Sequence, residues 1–177
     1  MKYFVLFIKK TLRYLLKPLS ILPALAMMYV IFHFSAQEGV QSASLSREVT
    51  KVVVLAYNKV AAKGYDNLTL NSMIDSLHPY VRKAAHVTEY CLLAMAVSLP
   101  MWVYRIRGFG LTLFAGAFCV MFAALDEFHQ SFVSGRTSTP KDVLIDSIGI
   151  LIGIILIRIV CYIGRNTIFH WLVLDDD

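Results

Sequence analysis

Charged side chains are scarce in this 177-residue sequence. Only 16% of the residues are Asp, Glu, Lys or Arg, whereas 58% are hydrophobic. Soluble domains carry about 25% charged and about 45–50% apolar residues, so this composition excludes an ordinary water-soluble domain and favours a membrane protein. The length leaves room for one compact domain.

Cysteine is also scarce, and its placement excludes two further classes of protein. Cys91, Cys119 and Cys161 lie far apart inside apolar segments, without a CxxC pair or a Cys/His metal spacing. Disulfide frameworks and zinc-binding folds need a regular cysteine pattern, so we expect neither. We expect the three thiols to face lipid or the protein core.

The formal net charge of +5 comes from basic residues that flank apolar segments. Basic residues in that placement set membrane topology and contact anionic lipid headgroups. A nucleic-acid-binding protein would instead collect them on one soluble face. Membrane lipids are therefore the expected partners, and nucleic acid is not.

Long apolar segments dominate the rest of the chain. Each approaches the ~20 residues that a helix needs to cross a hydrocarbon core about 30 Å thick. We therefore predict one all-α, polytopic membrane domain over residues 1–177. Its four transmembrane helices are predicted at residues 19–36, 84–104, 109–129 and 142–163.

Two amphipathic regions complete the predicted architecture. Residues 1–17 mix lysine and arginine with leucine and phenylalanine, which is typical of a basic helix on a membrane surface. A signal peptide is the competing interpretation, but no clear small-x-small cleavage site follows. Residues 38–80 form a predicted extracytoplasmic excursion, with an amphipathic helix over 49–62 and a short helix over 70–77 that ends before His78-Pro79.

The distribution of lysine and arginine predicts the orientation. The N-terminal segment, the loop with Arg105 and Arg107 and the tail at residues 164–177 share one side, which the positive-inside rule makes cytoplasmic. Both termini are then cytoplasmic, and the loop at residues 130–141 is outside. The basic residues at that outer side disobey the rule and are candidates for pairing with carboxylates or an anionic ligand: Arg82, Lys83, Arg136 and Lys141.

The predicted topology brings four helix ends together at the outer face. Arg82, His86 and Glu89 share one face of the second transmembrane helix, because they are spaced i, i+4 and i+7. Asp126 and Gln130 share a face of the third, together with His129. A charge at bilayer depth costs at least a few kcal/mol, so such residues normally face protein or a wet cavity. We expect them to surround one polar pocket.

Two features of the fourth transmembrane helix have simpler structural explanations. Thr139, Pro140 and Asp142 fit a capping box with proline at the first helical position. Gly149 and Gly153 form a GxxxG pattern, which favours close helix packing over chemistry.

The polar residues occur in an order that resembles a known family. The chain reads Arg82-Lys83-x-x-His86-x-x-Glu89-Tyr90, then Asp126-Glu127-x-x-Gln130, Gly135-Arg136 and Asp142, with Ser35-x-Gln37 after the first helix. This order is similar to that of the VanZ-like family of small bacterial membrane proteins. The resemblance implies a multi-pass protein of the bacterial cytoplasmic membrane, and the founding member is associated with resistance to the glycopeptide teicoplanin. Members often carry an amide-bearing residue after the Asp142 position, whereas this chain has Asp146.

The first functional hypothesis is a membrane enzyme that acts on a lipid-linked or cell-envelope substrate. Acid–base catalysis needs groups of the type found at the candidate catalytic residues His86, Glu89, Asp126 and Glu127, with His129 as a further group. Arginine suits bidentate recognition of phosphate or carboxylate. The candidate substrate-binding residues are Arg82, Lys83, Tyr90, Gln130, Arg136, Asp142, Ser35 and Gln37.

Three other interpretations remain open. A binding protein would hold a lipid, a lipoglycopeptide or another membrane protein at the same residues without turnover, with the helix over 49–62 shaping the entrance. A structural network of ion pairs would fix the helices against one another. A small transporter would need polar groups across the core, whereas these crowd one end. No cofactor and no metal is expected, because neither HxxE nor DExH is a strong metal-binding pattern.

Overall fold

The computed structural model describes residues 17–166 and the side chains of residues 17–163. Five helices occur in this range, and it contains no strand, which confirms the all-α fold class. The predicted basic helix over residues 1–17 lies outside the described residues except for Lys17. The helices are α1 (Leu22–Ser35), α2 (Gly39–Val60), α3 (Asn67–Val103), α4 (Gly108–Gln130) and α5 (Pro140–Asn166).

Four helices are long and apolar enough to cross a membrane, which confirms the predicted number. They occupy Lys17–Ser35, Asn67–Val103, Gly108–Gln130 and Pro140–Ile163. Their outward faces carry large exposed apolar side chains such as Tyr29, Phe114 and Leu144. Lipid can cover those faces, as expected for a multi-pass membrane protein.

The second membrane-spanning helix is longer than predicted. A separate short helix was expected to end before His78-Pro79, but α3 runs without a break from Asn67 to Val103 with Pro79 inside it. Proline at that position lacks the N–H that would donate to the carbonyl of Asp75, which costs about 3 kcal/mol in an isolated helix. Packing of α2 against this part of α3 offsets the loss. A local proline signal therefore gave the wrong boundary.

Helix α2 begins at Gly39, well before the predicted start at residue 49. A start at residue 49 leaves Ser44 and Ser46 before the helix, as residues that commonly precede one, but both lie within it. Their hydroxyls donate to the carbonyl oxygens of Gln41 at 2.7 Å and Ala43 at 3.0 Å. The hydroxyls are thus satisfied by their own helix, and the serine signal does not mark its start.

Buried apolar side chains join α2 to the first half of α3. Val54 of α2 packs with Leu70 and Ile74 of α3, and all three are at most 7% exposed. Asp66 caps the start of α3 by accepting from the backbone N–H of Thr69 at 3.3 Å. The Thr69 hydroxyl and this amide hold the pKa of the Asp66 carboxyl below its ordinary value.

Two glycines set the distance between α3 and α5. A Cβ atom on Gly149 would collide with the backbone carbonyl of Val87, and one on Gly153 would collide with that of Cys91. This confirms the predicted packing role of the GxxxG pattern. Both contacts join residues 62 positions apart, so the two helices run parallel. The same register places Asp146 at the level of Ala84.

The main core lies between the membrane-spanning helices. Tyr90, Leu93, Ala115, Cys119 and Ile150 are at most 2% exposed and belong to one cluster. Cys119 is therefore a core residue, as expected, while Cys91 and Cys161 are partly exposed.

Candidate functional site

The predicted polar residues gather at one end of the bundle, where α1 and α4 end and α5 begins. They do not surround a single pocket. Some form a closed hydrogen-bond network, which we call the Asp126 network. Others line two adjacent cavities, which we call the amphipathic cleft and the polar cavity.

Asp126 lies at the centre of the closed network. Its Oδ2 accepts from Ser35 Oγ at 2.8 Å, from Tyr90 OH at 3.0 Å and from Gln130 Nε2 at 2.9 Å. Gln130 Nε2 also donates to Ser35 Oγ at 3.0 Å, so both of its N–H groups are used. All four side chains are at most 6% exposed. The network joins α1, α3 and α4 through satisfied buried groups.

Arg136 ties the loop before α5 to the end of α1. Its Nη2 donates to the carbonyl of Phe34 at 2.7 Å, and its Nε donates to that of Gln37 at 3.1 Å. Its Nη1 reaches Gln130 Oε1 at 3.4 Å. A cation there donates to carbonyls in the last turn and just beyond the helix C-terminus, and it complements the helix dipole. Burial, and then the nearby charge of Arg82, lower the pKa of Arg136, but a guanidinium stays protonated.

The same loop closes against the start of α2. The backbone N–H of Gly39 donates to the carbonyl of Ser134 at 3.0 Å. A Cβ atom on Gly39 would collide with the carbonyl oxygen of Gly135, and Gly135 itself has φ +71°. Glycine is therefore required at both positions, which explains the glycine of the Gly135-Arg136 motif.

The amphipathic cleft lies between α2 and α3 and has a volume of about 180 Å³. Apolar side chains, including Leu45, Val49 and Val81, form much of its wall. The polar residues of the cleft include Gln37, Arg82, His86, Glu89 and Arg136. An apolar wall beside a cationic group is the arrangement that an anionic amphiphile requires.

His86 and Glu89 form a pair beside this cleft. His86 Nδ1 lies 3.7 Å from Glu89 Oε2, and the side chains are 22% and 24% exposed. The distance exceeds a direct hydrogen bond but allows one to form after a small movement. The two groups are therefore placed to exchange a proton with a molecule in the cleft.

The polar cavity lies between α3, α4 and α5 and has a volume of about 190 Å³. Thr139 organises one side: its backbone N–H donates to Glu127 Oε2 at 3.2 Å, and its hydroxyl donates to Asp142 Oδ2 at 2.9 Å. Lys83 Nζ lies 3.5 Å from Asp142 Oδ1. The predicted capping pair, Thr139 and Asp142, is thus in contact through its side chains but does not form a capping box, because the Thr139 N–H donates to Glu127 and the Asp142 N–H donates to the Thr139 carbonyl at 3.0 Å. The lining comprises His78, Pro79, Arg82, Lys83, His86, Glu127, Gln130, Thr137, Asp142, Ile145 and Asp146.

Two charged residues of these cavities have no partner among the described residues. Arg82 lines both the amphipathic cleft and the polar cavity, and within residues 17–166 it has no hydrogen bond or ion pair. Asp146 lines the polar cavity and is 2% exposed, and no described residue pairs with it either. A charge as deeply buried as that of Asp146 is normally paired.

His129, a further candidate acid–base group, faces away from both cavities. Its ring stacks on Phe32 at a centroid distance of 4.8 Å. The Nε2 atom is buried and has no hydrogen-bond partner among the described residues. Of the three residues predicted to share a face of α4, Asp126 and Gln130 lie in one network. His129 packs against α1 instead.

The predicted site residues divide between these environments. Ser35, Tyr90, Asp126, Gln130 and Arg136 belong to the closed network and its arginine. The residues that line one or both cavities are Gln37, Arg82, Lys83, His86, Glu89, Glu127 and Asp142. In addition, Arg136 lines the amphipathic cleft and Gln130 lines the polar cavity. Within the part of the chain that the structure describes, no three His, Cys, Asp or Glu side chains are grouped to hold a metal ion.

The part of α2 before residue 49 lines the cleft, and this part was missed from the sequence. Ser42, Leu45, Ser46 and Val49 all line the amphipathic cleft. They are spaced i, i+3, i+4 and i+7, which is the signal of one helix face. The wrong start of α2 concealed it.

A sequence profile of the VanZ/LLP1 family matches residues 20–161 of this chain. The matched range covers well over half of the chain and includes the Asp126 network and both cavities. No curated protein and no solved structure matches the sequence.

Proposed function

The chain belongs to the VanZ/LLP1 family, and we propose that it binds the anionic headgroup of an amphiphilic cell-envelope ligand at the amphipathic cleft. Arg82 is the main anion-binding residue in this proposal. The observation that carries it is the position of Arg82 at the junction of two cavities, without a partner among the described residues.

An anion at this position resolves an electrostatic problem. Arg82 lies close enough to Arg136 for its charge to lower the pKa of that guanidinium. Arg136 already donates to the carbonyls of Phe34 and Gln37, whereas Arg82 donates to no group of residues 17–166. A phosphate or carboxylate between the helices would neutralise the repulsion and accept two parallel hydrogen bonds from the Arg82 fork.

The apolar wall supports a ligand with a hydrocarbon chain. Leu45 and Val49 of α2 face Val81 of α3 across the cleft. An acyl or isoprenoid chain in contact with these side chains would remain in an apolar environment while its headgroup reached Arg82. Lipid-linked envelope molecules and lipoglycopeptides share this chemistry.

A membrane enzyme is the second candidate, and the His86–Glu89 pair favours it. A headgroup bound to Arg82 would lie beside this pair, which is able to move protons to or from it. We assign the acid–base roles to His86 and Glu89, with Glu127 as a further group. We assign a framework role to Asp126, because three donors already engage its Oδ2.

We place the site at the outer face of the bacterial cytoplasmic membrane, with cytoplasmic termini. The basic loop with Arg105 and Arg107 lies at the opposite end of the bundle, which supports that orientation. Altered susceptibility to teicoplanin is the cellular effect that the family resemblance suggests, and it is a readout for the same variants.

The proposal is tested by measuring lipid binding to the purified protein in detergent. Native mass spectrometry with phosphatidylglycerol should show binding at least 10-fold weaker for Arg82→Gln than for the unchanged chain, because the charged hydrogen bonds are lost. Lys51→Gln is the control, since it removes the same charge from an exposed position of α2. Equal phosphatidylglycerol binding by Arg82→Gln and Lys51→Gln would refute the proposal.

Glu89→Gln separates binding from catalysis. The binding function predicts unchanged affinity for phosphatidylglycerol and unchanged teicoplanin susceptibility at equal expression. If the protein is an enzyme, the variant should keep its affinity for phosphatidylglycerol but lose the effect on teicoplanin susceptibility, because the glutamine cannot exchange a proton.

A further inference from the structure

Asp146 is a buried carboxyl group that faces the polar cavity. Its side chain is 2% exposed and lines the polar cavity, and none of residues 17–166 donates a hydrogen bond to it. A carboxyl group in a membrane-spanning helix is costly without a partner, so such groups normally face a paired charge or a functional cavity. The Arg82 proposal does not use this residue.

The other two carboxyl groups of the polar cavity differ from Asp146. Glu127 accepts from the backbone N–H of Thr139 at 3.2 Å. Asp142 accepts from the Thr139 hydroxyl at 2.9 Å and pairs with Lys83 at 3.5 Å. Lys83 is therefore engaged with Asp142, and Asp146 alone of the three is left for a molecule inside the cavity.

The register of α3 and α5 brings Asp146 close in depth to Arg82. The Gly149–Val87 contact places Asp146 at the level of Ala84, which lies between Arg82 and His86 on α3. Arg82 and Asp146 also line the same cavity. One small headgroup can therefore meet a cation on α3 and a carboxyl group on α5.

We propose that Asp146 binds a primary ammonium group of the same ligand whose anionic group Arg82 binds. The ligand is then zwitterionic, with an anion and an amine a few bonds apart, as in a phosphoethanolamine headgroup. This inference rests on the proposed function of Arg82. An ammonium fits better than a metal ion, because the described part of the chain has no group of three metal-ligating side chains. An ammonium also supplies the donors that Asp146 lacks.

The test compares phosphatidylethanolamine with N-acetyl phosphatidylethanolamine, which keeps the phosphate but lacks the ammonium. Native mass spectrometry of the unchanged protein should show at least 5-fold tighter binding of phosphatidylethanolamine. Asp146→Asn should remove that preference while still binding both lipids through Arg82. Asp146→Glu should retain it, and Glu48→Gln is the control for loss of a carboxylate at an exposed position.

The outcomes separate this inference from the proposed function. Equal binding of the two lipids by the unchanged protein would overturn the ammonium site, and this measurement needs no variant to fold. A preference that persists in Asp146→Asn would overturn it as well. If Arg82→Gln weakens the binding of both lipids, the anion-binding function stands, whether or not the ammonium site does. If Arg82→Gln leaves the binding of both lipids unchanged, the proposed function fails, and the ammonium site fails with it.

Discussion

Two groups of polar side chains share one end of the bundle, and they differ in whether their hydrogen bonds are complete. The Asp126 network is closed, because three donors converge on one carboxylate oxygen. Arg82 and Asp146 are open, because no described residue pairs with either and both line a cavity. A motif that looks uniform in sequence thus contains a framework that positions helices and a surface that is available to a ligand.

The difference has an energetic meaning. Closed buried networks are expensive to disturb, because each freed donor keeps its full desolvation penalty. Arg82 and Asp146 form no hydrogen bond within the described residues, so replacing either one removes no such bond, and a bound ligand would supply the missing partners. Stability and binding should therefore respond to different residues of the same motif.

The largest loss of stability is expected for Asp126→Ala. It leaves the donors of Ser35, Tyr90 and Gln130 without their acceptor, at about 1–3 kcal/mol for each unsatisfied group. The free energy of unfolding should fall by roughly 3 kcal/mol or more, measured by denaturant titration in detergent. Glu48→Gln, at an exposed position, is the control. A change below about 1 kcal/mol would mean that the network is not a framework.

A smaller loss is expected for Tyr90→Phe. It removes one hydrogen bond to Asp126 and keeps the aromatic ring in the core, so the expected cost is about 1–2 kcal/mol. Tyr80→Phe is the matched control on the same helix, because Tyr80 is 71% exposed. If the two variants unfold alike, the Tyr90 hydroxyl contributes nothing to stability.

The smallest effect on stability is expected for Arg82→Gln. No described residue loses a hydrogen bond, so the free energy of unfolding should stay within about 0.5 kcal/mol of the unchanged chain. Arg136→Gln removes an equal charge but also removes the guanidinium hydrogen bonds to the carbonyls of Phe34 and Gln37, and it should cost about 1–3 kcal/mol. Equal destabilisation by the two arginine variants would erase the distinction between the closed and open groups.

Much of the fold follows from the sequence, because lipid imposes simple rules on it. The scarcity of charge and the length of the apolar segments predict four spanning helices, and the structure has four that qualify. The glycines at 149 and 153 predict close helix packing, and α3 meets α5 at both. These signals are local, and no competing interaction overrides them.

There is a physical reason why the helix boundaries near Ser44, Ser46 and Pro79 could not be predicted from the sequence. Serine and proline were taken as signals of a helix start and a helix end. Tertiary packing between α2 and α3 outweighs these local preferences, which amount to a few kcal/mol. The division of the polar residues into a closed network and open charged groups could not be predicted from the sequence either. Spacing shows which residues share a helix face, but only the neighbouring helices show which donors reach Asp126 and which charges stay unpaired.

The most direct test of the account is a high-resolution structure of the protein in nanodiscs that contain phosphatidylethanolamine and phosphatidylglycerol. The account predicts headgroup density in contact with Arg82, a chain along Leu45 and Val49, and an unbroken Asp126 network beside it. It would be contradicted by an empty cleft in which Arg82 is paired with a carboxylate of its own chain.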